Sequence, residues 1–289
     1  MPSLISTSER CVVVGGGIVG TARGRALTIR GHDVSFVDVS SKRCRELVQM
    51  GVVCRTMFEA STTPTIYLLC VPTPADEHGY DYSILRQALH DLGRTFSPHS
   101  ARHLVVLCST VSPFTTRSVA IPALEAASGL THGAGFDVAV MPEFLRANHA
   151  EEDALAPWMT MIAAPSPEVR ERLGSLFALD GELRISERFE VAELVKVAHN
   201  AYNAAKISFF NEIFQLALSL DIDGNEVSEI VSHSAEASFN RAYGIRGGAP
   251  FSGHCLPKDL DGLIAFAEAR YVDTPVLKAT RDVNRALGG

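Results

Sequence analysis

Three glycines spaced Gly15-x-Gly17-x-x-Gly20, directly behind the run Cys11-Val12-Val13-Val14, constrain this chain more than any other feature. Four consecutive β-formers predict a strand over 11–14, and the residues that follow predict a helix over 17–30. Gly31-His32 breaks that helix, and Val34-Ser35-Phe36-Val37-Asp38 reads as a second strand. In such a βαβ unit Gly15 makes the tight turn, Gly17 lets a pyrophosphate approach, and Gly20 lets helix and strand pack closely. Ile18 and Val19 open the helix, whose N–H groups and positive dipole end suit phosphate oxygens. Asp38 stands 18 residues after Gly20, where a carboxylate accepts both ribose hydroxyls and repels a 2′-phosphate. The pattern predicts a dinucleotide site favouring NAD over NADP, a preference that the nearby Ser40, Ser41, Lys42 and Arg43 keep from being absolute.

The alternation continues down the chain. Strands are expected at 66–71, 103–108, 137–140 and 159–163, and helices at 42–50, 81–95 and 115–127. This is an α/β pattern, a Rossmann-like doubly wound parallel sheet. After about Arg188 the character changes. Ala192, Val195, Ala198, Tyr202 and Ala205 recur at helical spacing within one long helix from Glu190 to Leu220. Shorter helices are expected at 224–234, 259–270 and 274–286, with a glycine-rich loop over 244–254. The 289 residues suffice for an NAD-binding domain over 1–189 and an all-helical central domain over 190–289.

Composition excludes several classes. A net charge of −7 gives no basic face for nucleic acid and no polybasic membrane patch. No apolar run approaches the roughly 20 residues of a spanning helix. The first ten residues are polar and lack a signal-peptide core. The six cysteines, Cys11, Cys44, Cys54, Cys70, Cys108 and Cys255, show no CxxC or zinc-ligand spacing, so no metal is expected. Reduced cytoplasmic thiols fit better than disulfides. Cys11, Cys70 and Cys108 lie in apolar strand-like runs and read as inert core thiols.

Cys255 is different. In Gly253-His254-Cys255-Leu256-Pro257-Lys258-Asp259 a thiol stands on a constrained loop, followed by a tight turn at Pro257. Lys258 supplies a cation to favour thiolate and Asp259 a carboxylate to move a proton. A nucleophilic cysteine beside a hydride acceptor points to oxidation through a thiohemiacetal or thioester; the competing reading is a structural thiol.

Other clusters follow in a fixed order. Val71-Pro72-Thr73-Pro74 ends the third strand, and Cys108-Ser109-Thr110-Val111-Ser112-Pro113 ends the fourth. Met141-Pro142-Glu143-Phe144-Leu145-Arg146 follows the fifth. Ala192-Glu193-Leu194-x-Lys196-x-x-x-Asn200 opens the long helix, which continues to Asn211-Glu212. With Cys255-x-Pro257-Lys258-Asp259, these motifs make nearly the whole chain resemble the UDP-glucose/GDP-mannose dehydrogenase family.

That resemblance implies oxidation of a primary alcohol to a carboxylate by two successive hydride transfers to NAD, the alcohol belonging to a nucleotide sugar of UDP-glucose type or a related molecule. Cys255 would attack the intermediate aldehyde. Lys196 and Asn200, at i and i+4 on one helix face, would reach a developing oxyanion. Asp259 and Thr110 would hold or activate water, and Glu143 would assist proton transfer. Val71, Pro72, Thr73, Ser109 and Thr110 would border the cofactor. Phe144, Leu145, Arg146, Arg246 and Gly253, with Lys196 and Asn200, would face the substrate. The helix over 190–220 would form a homodimer.

The departures from the family pattern are specific. An acid usual four residues after Glu143 is Ala147, and the usual Glu-Gly is Ala147-Asn148. Pro-Asp-Arg before the next strand is Pro157-Trp158-Met159. The glycine after Ser-Thr-Val-x-Pro is Phe114, and the doubled glycine before the nucleophile is Ser252-Gly253. The family's third, nucleotide-sugar-holding domain is not expected in a chain that stops at Gly289. Two other readings use the same residues: a two-electron dehydrogenase of the hydroxyacid type, needing no cysteine, and a non-catalytic NAD-binding partner.

Overall fold

The computed structural model describes residues 8–99, 101–177, 181–245, 247–253 and 255–288. Strand β1 (Arg10–Val14) leads through α1 (Ile18–Ile29) to β2 (Asp33–Val37), and α2 (Ser41–Gln49) leads to a short strand β3 (Val53–Arg55). The chain then returns as β4 (Ile66–Leu69), makes a small hairpin of β5 (Ala75–Asp76) and β6 (Gly79–Tyr80), and passes through α3 (Ser83–Gly93) into β7 (His103–Leu107). A π-helical turn over Thr116–Ala120 runs into α4 (Ile121–Ser128), and β8 (Phe136–Val140) follows. After α5 (Ala150–Leu155) come β9 (Met159–Ala163), α6 (Pro167–Phe177) and β10 (Glu182–Ser186).

These strands form an eight-stranded sheet ordered β10-β9-β8-β7-β4-β1-β2-β3. Every residue of β4 and β7 is buried, as unbroken apolar strands must be when helices cover both faces of a parallel sheet. Val13 pairs with Phe36 on one side and Leu68 on the other. The winding runs outward from β1 to β3 and restarts at β4 on the other side of β1. Loops leaving β1 and β4 therefore diverge and open a crevice at the switch point, where α/β sheets hold ligands.

One neighbour departs from the expected parallel arrangement. β9 runs antiparallel to β8, with Val140 opposite Ala163, while β10 and β9 are parallel. The cause lies in the connection. α5 packs on α1, where Arg25 pairs with Glu151 at 2.6 Å and Arg30 donates to the carbonyls of Ala154 and Leu155. Held there beside the glycine turn, the chain re-enters the sheet from the end it left.

Phe114, the residue standing for an expected glycine, has φ 71, a left-handed conformation that costs a β-carbon-bearing residue of order 1–3 kcal/mol. Glu193, 1% exposed, holds the turn: it accepts the Phe114 N–H at 2.7 Å and both the N–H and hydroxyl of Thr116.

The chain divides into two compact units, Met1–Ala198 and His199–Gly289, with the helix α7 (Phe189–Leu218) contributing to each. The second unit is helical: α8 (Gly224–Ser234), α9 (Glu236–Phe239), α10 (Cys255–Glu268) and α11 (Pro275–Ala286) complete it. Buried Glu212 accepts from the N–H groups of Val276 and Leu277, satisfying donors that the first turn of α11 would otherwise leave open. Among the described residues, no helix is long and apolar enough to cross a membrane.

Candidate active site

In the first unit the site begins at the glycine turn. Gly15 has φ 96, and its N–H donates to the Val37 carbonyl at 2.8 Å. Asp38, just past β2, accepts the Gly16 N–H at 2.7 Å with one carboxylate oxygen and the Ser40 N–H at 2.8 Å with the other. From the opposite side Arg43 donates to the Gly16 carbonyl at 2.5 Å, to the Thr21 hydroxyl at 2.9 Å and to Glu46. Asp38 and Arg43 thus pre-form the loop. Arg43 is committed to these partners, which weakens its pull on a 2′-phosphate that Asp38 would repel.

Around this turn lies a cleft of about 900 Å³, lined by Gly15, Gly17, Ile18, Asp38 and Pro72 among others. A β-carbon built at Gly17 meets nothing within 4 Å, and no side chain caps the N-terminus of α1. Open space at an uncapped helix start, with a carboxylate at the end of the next strand, fits a dinucleotide. Each Asp38 oxygen keeps a second lone pair for a ribose hydroxyl.

The residues after β4 and β7 are tied together. The Thr73 hydroxyl donates to the Thr110 carbonyl at 2.6 Å, and the buried Ser109 hydroxyl lies 2.7 Å from the Val71 carbonyl. Both hydroxyls therefore brace the loops. Cys70 corrects an expectation: it is half-buried and lines the cleft, because β4 ends at Leu69 and the sheet no longer covers it. The segment 147–152 forms the facing wall, with Ala147 at the position of the missing acid.

Glu143 follows β8 and is 4% exposed. Arg23 from α1, 2% exposed, grips it with two parallel bonds of 2.6 and 2.5 Å. Phe144 lies in the core, and the Lys196 ammonium stands 5.4 Å from its ring centroid. Burial pushes the Lys196 ammonium below its ordinary value, and the charge of Glu143 opposes that shift. Leu145 packs beneath, against the small cluster between α1 and α5. Arg146 is held by Asp153 through bonds of 2.7 and 3.1 Å and lies 6.0 Å from the Trp158 ring. Asn200 follows Lys196 by one turn along α7 and is exposed.

In the second unit, Cys255 is the first residue of α10 and is exposed. The expected loop ending before a helix at 259 is thus corrected: Pro257 sits in the first helical turn, where its missing N–H costs nothing. The sulfur stands at the positive end of a 14-residue helix. Gly253, with φ 92, makes the preceding bend. Asn284 of α11 clamps the approach, accepting the Phe251 N–H at 2.7 Å and donating to its carbonyl at 3.2 Å. Lys258 and Asp259 face solvent and lie 3.4 Å from each other. Arg246 falls outside the described residues.

Two contributors escaped the sequence reading. Asn284 signalled nothing beyond a polar residue in a helix with a strong apolar face. Arg23 was one of two arginines in α1, and its signal was position: it shares the inward face with Gly20, Ala22, Ala26 and Leu27.

Comparison with known proteins identifies the family of the chain. Residues 53–179 match the NAD binding domain of the UDP-glucose/GDP-mannose dehydrogenase family and residues 190–286 its central domain. The glycine turn lies before the matched span and so carries its evidence independently. The chain is 33% identical to GDP-mannose 6-dehydrogenase of Pseudomonas syringae pv. tomato, over 93% of this chain and 66% of that protein. It is 31% identical to UDP-glucose 6-dehydrogenase AglM of Haloferax volcanii, over 94% of this chain and 68% of that protein. A crystal structure of a ternary complex of GDP-mannose dehydrogenase from Pseudomonas aeruginosa superposes with a TM-score of 0.89 at 32% identity, covering 96% of this chain and 69% of that one. The chain thus spans about two thirds of the length of these relatives. From the glycine turn to α11, it belongs to the UDP-glucose/GDP-mannose dehydrogenase family.

Proposed function

We propose that the chain oxidises the primary alcohol of a nucleotide sugar to the carboxylate with NAD, through a covalent intermediate on Cys255. The observation that supports this most is Cys255 itself, an exposed thiol at a helix N-terminus in a chain that also carries a dinucleotide cleft. NAD, when bound, would supply the hydride acceptor: one NAD for the hydride of the alcohol and, after exchange of the NADH, a second for that of the thiohemiacetal. The glycine turn, the N-terminus of α1 and Asp38 would hold it. Cys255 attacks the aldehyde carbon, and water later releases the thioester as carboxylate. Lys196 and Asn200 stabilise the oxyanions of these steps, while Glu143, Thr110 and Asp259 serve the water. GDP-mannose leads the substrate list because relatives bearing that name match 93% of the chain; UDP-glucose is second. Pairing of two chains across α7 belongs to the same reading, supported by exposed Leu194, Tyr202 and Ile207.

The test is NADH formed per molecule of GDP-mannose, UDP-glucose or a small primary alcohol. Two NADH per nucleotide sugar are expected. No NADH with any nucleotide sugar overturns the proposal.

Lys196 adds a pH dependence. Its charged ammonium is the form that stabilises an oxyanion, and its lowered value means that form is lost sooner as pH rises. The alkaline decline in kcat should begin below the range of an ordinary lysine. Lys196→Met should remove that limb and cut kcat by roughly 10²–10³. An unchanged alkaline limb in the variant would exclude Lys196 as its source.

A further inference from the structure

We propose that Arg23 is a positioning residue that clamps Glu143, so that this carboxylate orients the hydrolytic water as a fixed acceptor instead of ferrying its proton. The inference rests on the thioester reading given above. An arginine is almost never this buried unless paired, and Arg23 is 2% exposed. It can lie under the glycine turn because its neighbours on α1, Gly20, Ala22 and Gly24, are small. Its Nε and Nη2 meet the two oxygens of Glu143 separately, at 2.6 and 2.5 Å, which fixes the plane of the carboxylate as well as its place. The Phe177 ring, 5.6 Å from the guanidinium carbon, backs the fork.

The consequence is chemical. A carboxylate offers about four lone-pair sites, and the fork takes one on each oxygen. The remaining pair on each can accept from water. Taking up a proton on a free pair would neutralise the carboxylate and leave a buried guanidinium without its counter-charge, so the clamp favours orientation over transfer. In the hydrolysis, a water oxygen bonds to the thioester carbon and the carbon–sulfur bond breaks. One water proton re-forms the Cys255 thiol, and the other leaves with the acid to solvent. Glu143 need only hold the attacking water in line.

The test follows a single turnover with NAD and the nucleotide sugar that the protein oxidises. It records the first NADH burst and, by intact mass, the loss of acyl-Cys255. Arg23→Met should leave the burst unchanged and slow acyl-enzyme loss by about 10²-fold, the scale of a small misplacement of a reacting group. Arg23→Lys, which keeps the charge but cannot form the fork, should recover only a minor part of that rate. Arg23→Met/Glu143→Gln should be no slower than Glu143→Gln alone, because Arg23 acts only through Glu143. The double variant also carries no stranded charge, so it stays informative if Arg23→Met fails to fold. Native-rate hydrolysis in Arg23→Met, full rescue by lysine, or additive slowing in the double variant would each overturn the inference. A native chain that forms no acyl-enzyme overturns both readings; an acyl-enzyme indifferent to Arg23 overturns this one alone.

Discussion

Cys255→Ser is expected to abolish carboxylate formation, by on the order of 10⁴-fold or more, and to leave NAD binding untouched. The thiol is the group that holds the aldehyde as a thiohemiacetal and so makes a second hydride available; a serine hydroxyl without an adjacent base is too weak a nucleophile. Three of the other cysteines are poor replacements. Burial pushes the Cys11 thiol up to about 12, and burial with the neighbouring Cys44 does the same to Cys54. Contact with Cys70 and burial raise Cys108 well above its ordinary value. Cofactor affinity should hold because the cleft draws its lining from residues of the first unit. NADH per nucleotide sugar should fall from two to one or none, with no acyl adduct by mass. Turnover that ignores the substitution would instead identify the two-electron, hydroxyacid-type chemistry.

How much of the fold could be read from the residues follows from burial. β1, β4, β7 and β8 were legible because strands covered on both faces must be unbroken apolar runs. The edges were not. β3 is three residues long, and β10 exposes Glu182, Leu183, Arg184 and Ile185, so neither needed an apolar run. The hairpin β5–β6 pairs two residues on each side, too few for any periodic signal. α6 was legible in principle: Ser166 accepts the Val169 N–H, Pro167 opens the helix, and Val169, Leu173 and Leu176 recur on its buried face.

The glycine turn showed its chemistry in sequence because its requirements are local. Contacts across distant segments did not. Arg23 and Glu143 are 120 positions apart, and Phe251 and Asn284 are 33 apart. A charged residue on an inward helix face contradicts composition rules and becomes intelligible only once its partner is known. Pro257 misled for a related reason: it breaks a helix interior but is tolerated in a first turn, and one sequence cannot say which applies.

Gly20→Ala and Gly17→Ala should fail in opposite ways, and the pair tests fold and cofactor separately. A β-carbon at Gly20 would stand 2.0 Å from the Gly15 carbonyl oxygen and 3.1 Å from a Val13 methyl. Neither neighbour can rotate away, because one is backbone and the other is packed in β1. α1 would have to lift off the strand, at a cost of about 3 kcal/mol, the upper range for overpacking. A domain of this size should then lose roughly 6–12 °C in Tm. Gly17 has φ −68, ordinary for alanine, and its β-carbon would meet no protein atom within 4 Å. Its substitution should leave Tm unchanged, yet the methyl would occupy the space through which a pyrophosphate approaches the α1 N–H groups. NAD affinity should fall about tenfold or more, or about 1.4 kcal/mol. Calorimetry and NAD titration on both variants separate the effects. A Gly17→Ala protein that binds NAD as tightly as the native one would mean that the pyrophosphate does not rest on α1, and the cofactor geometry drawn from the glycine turn would fall with it.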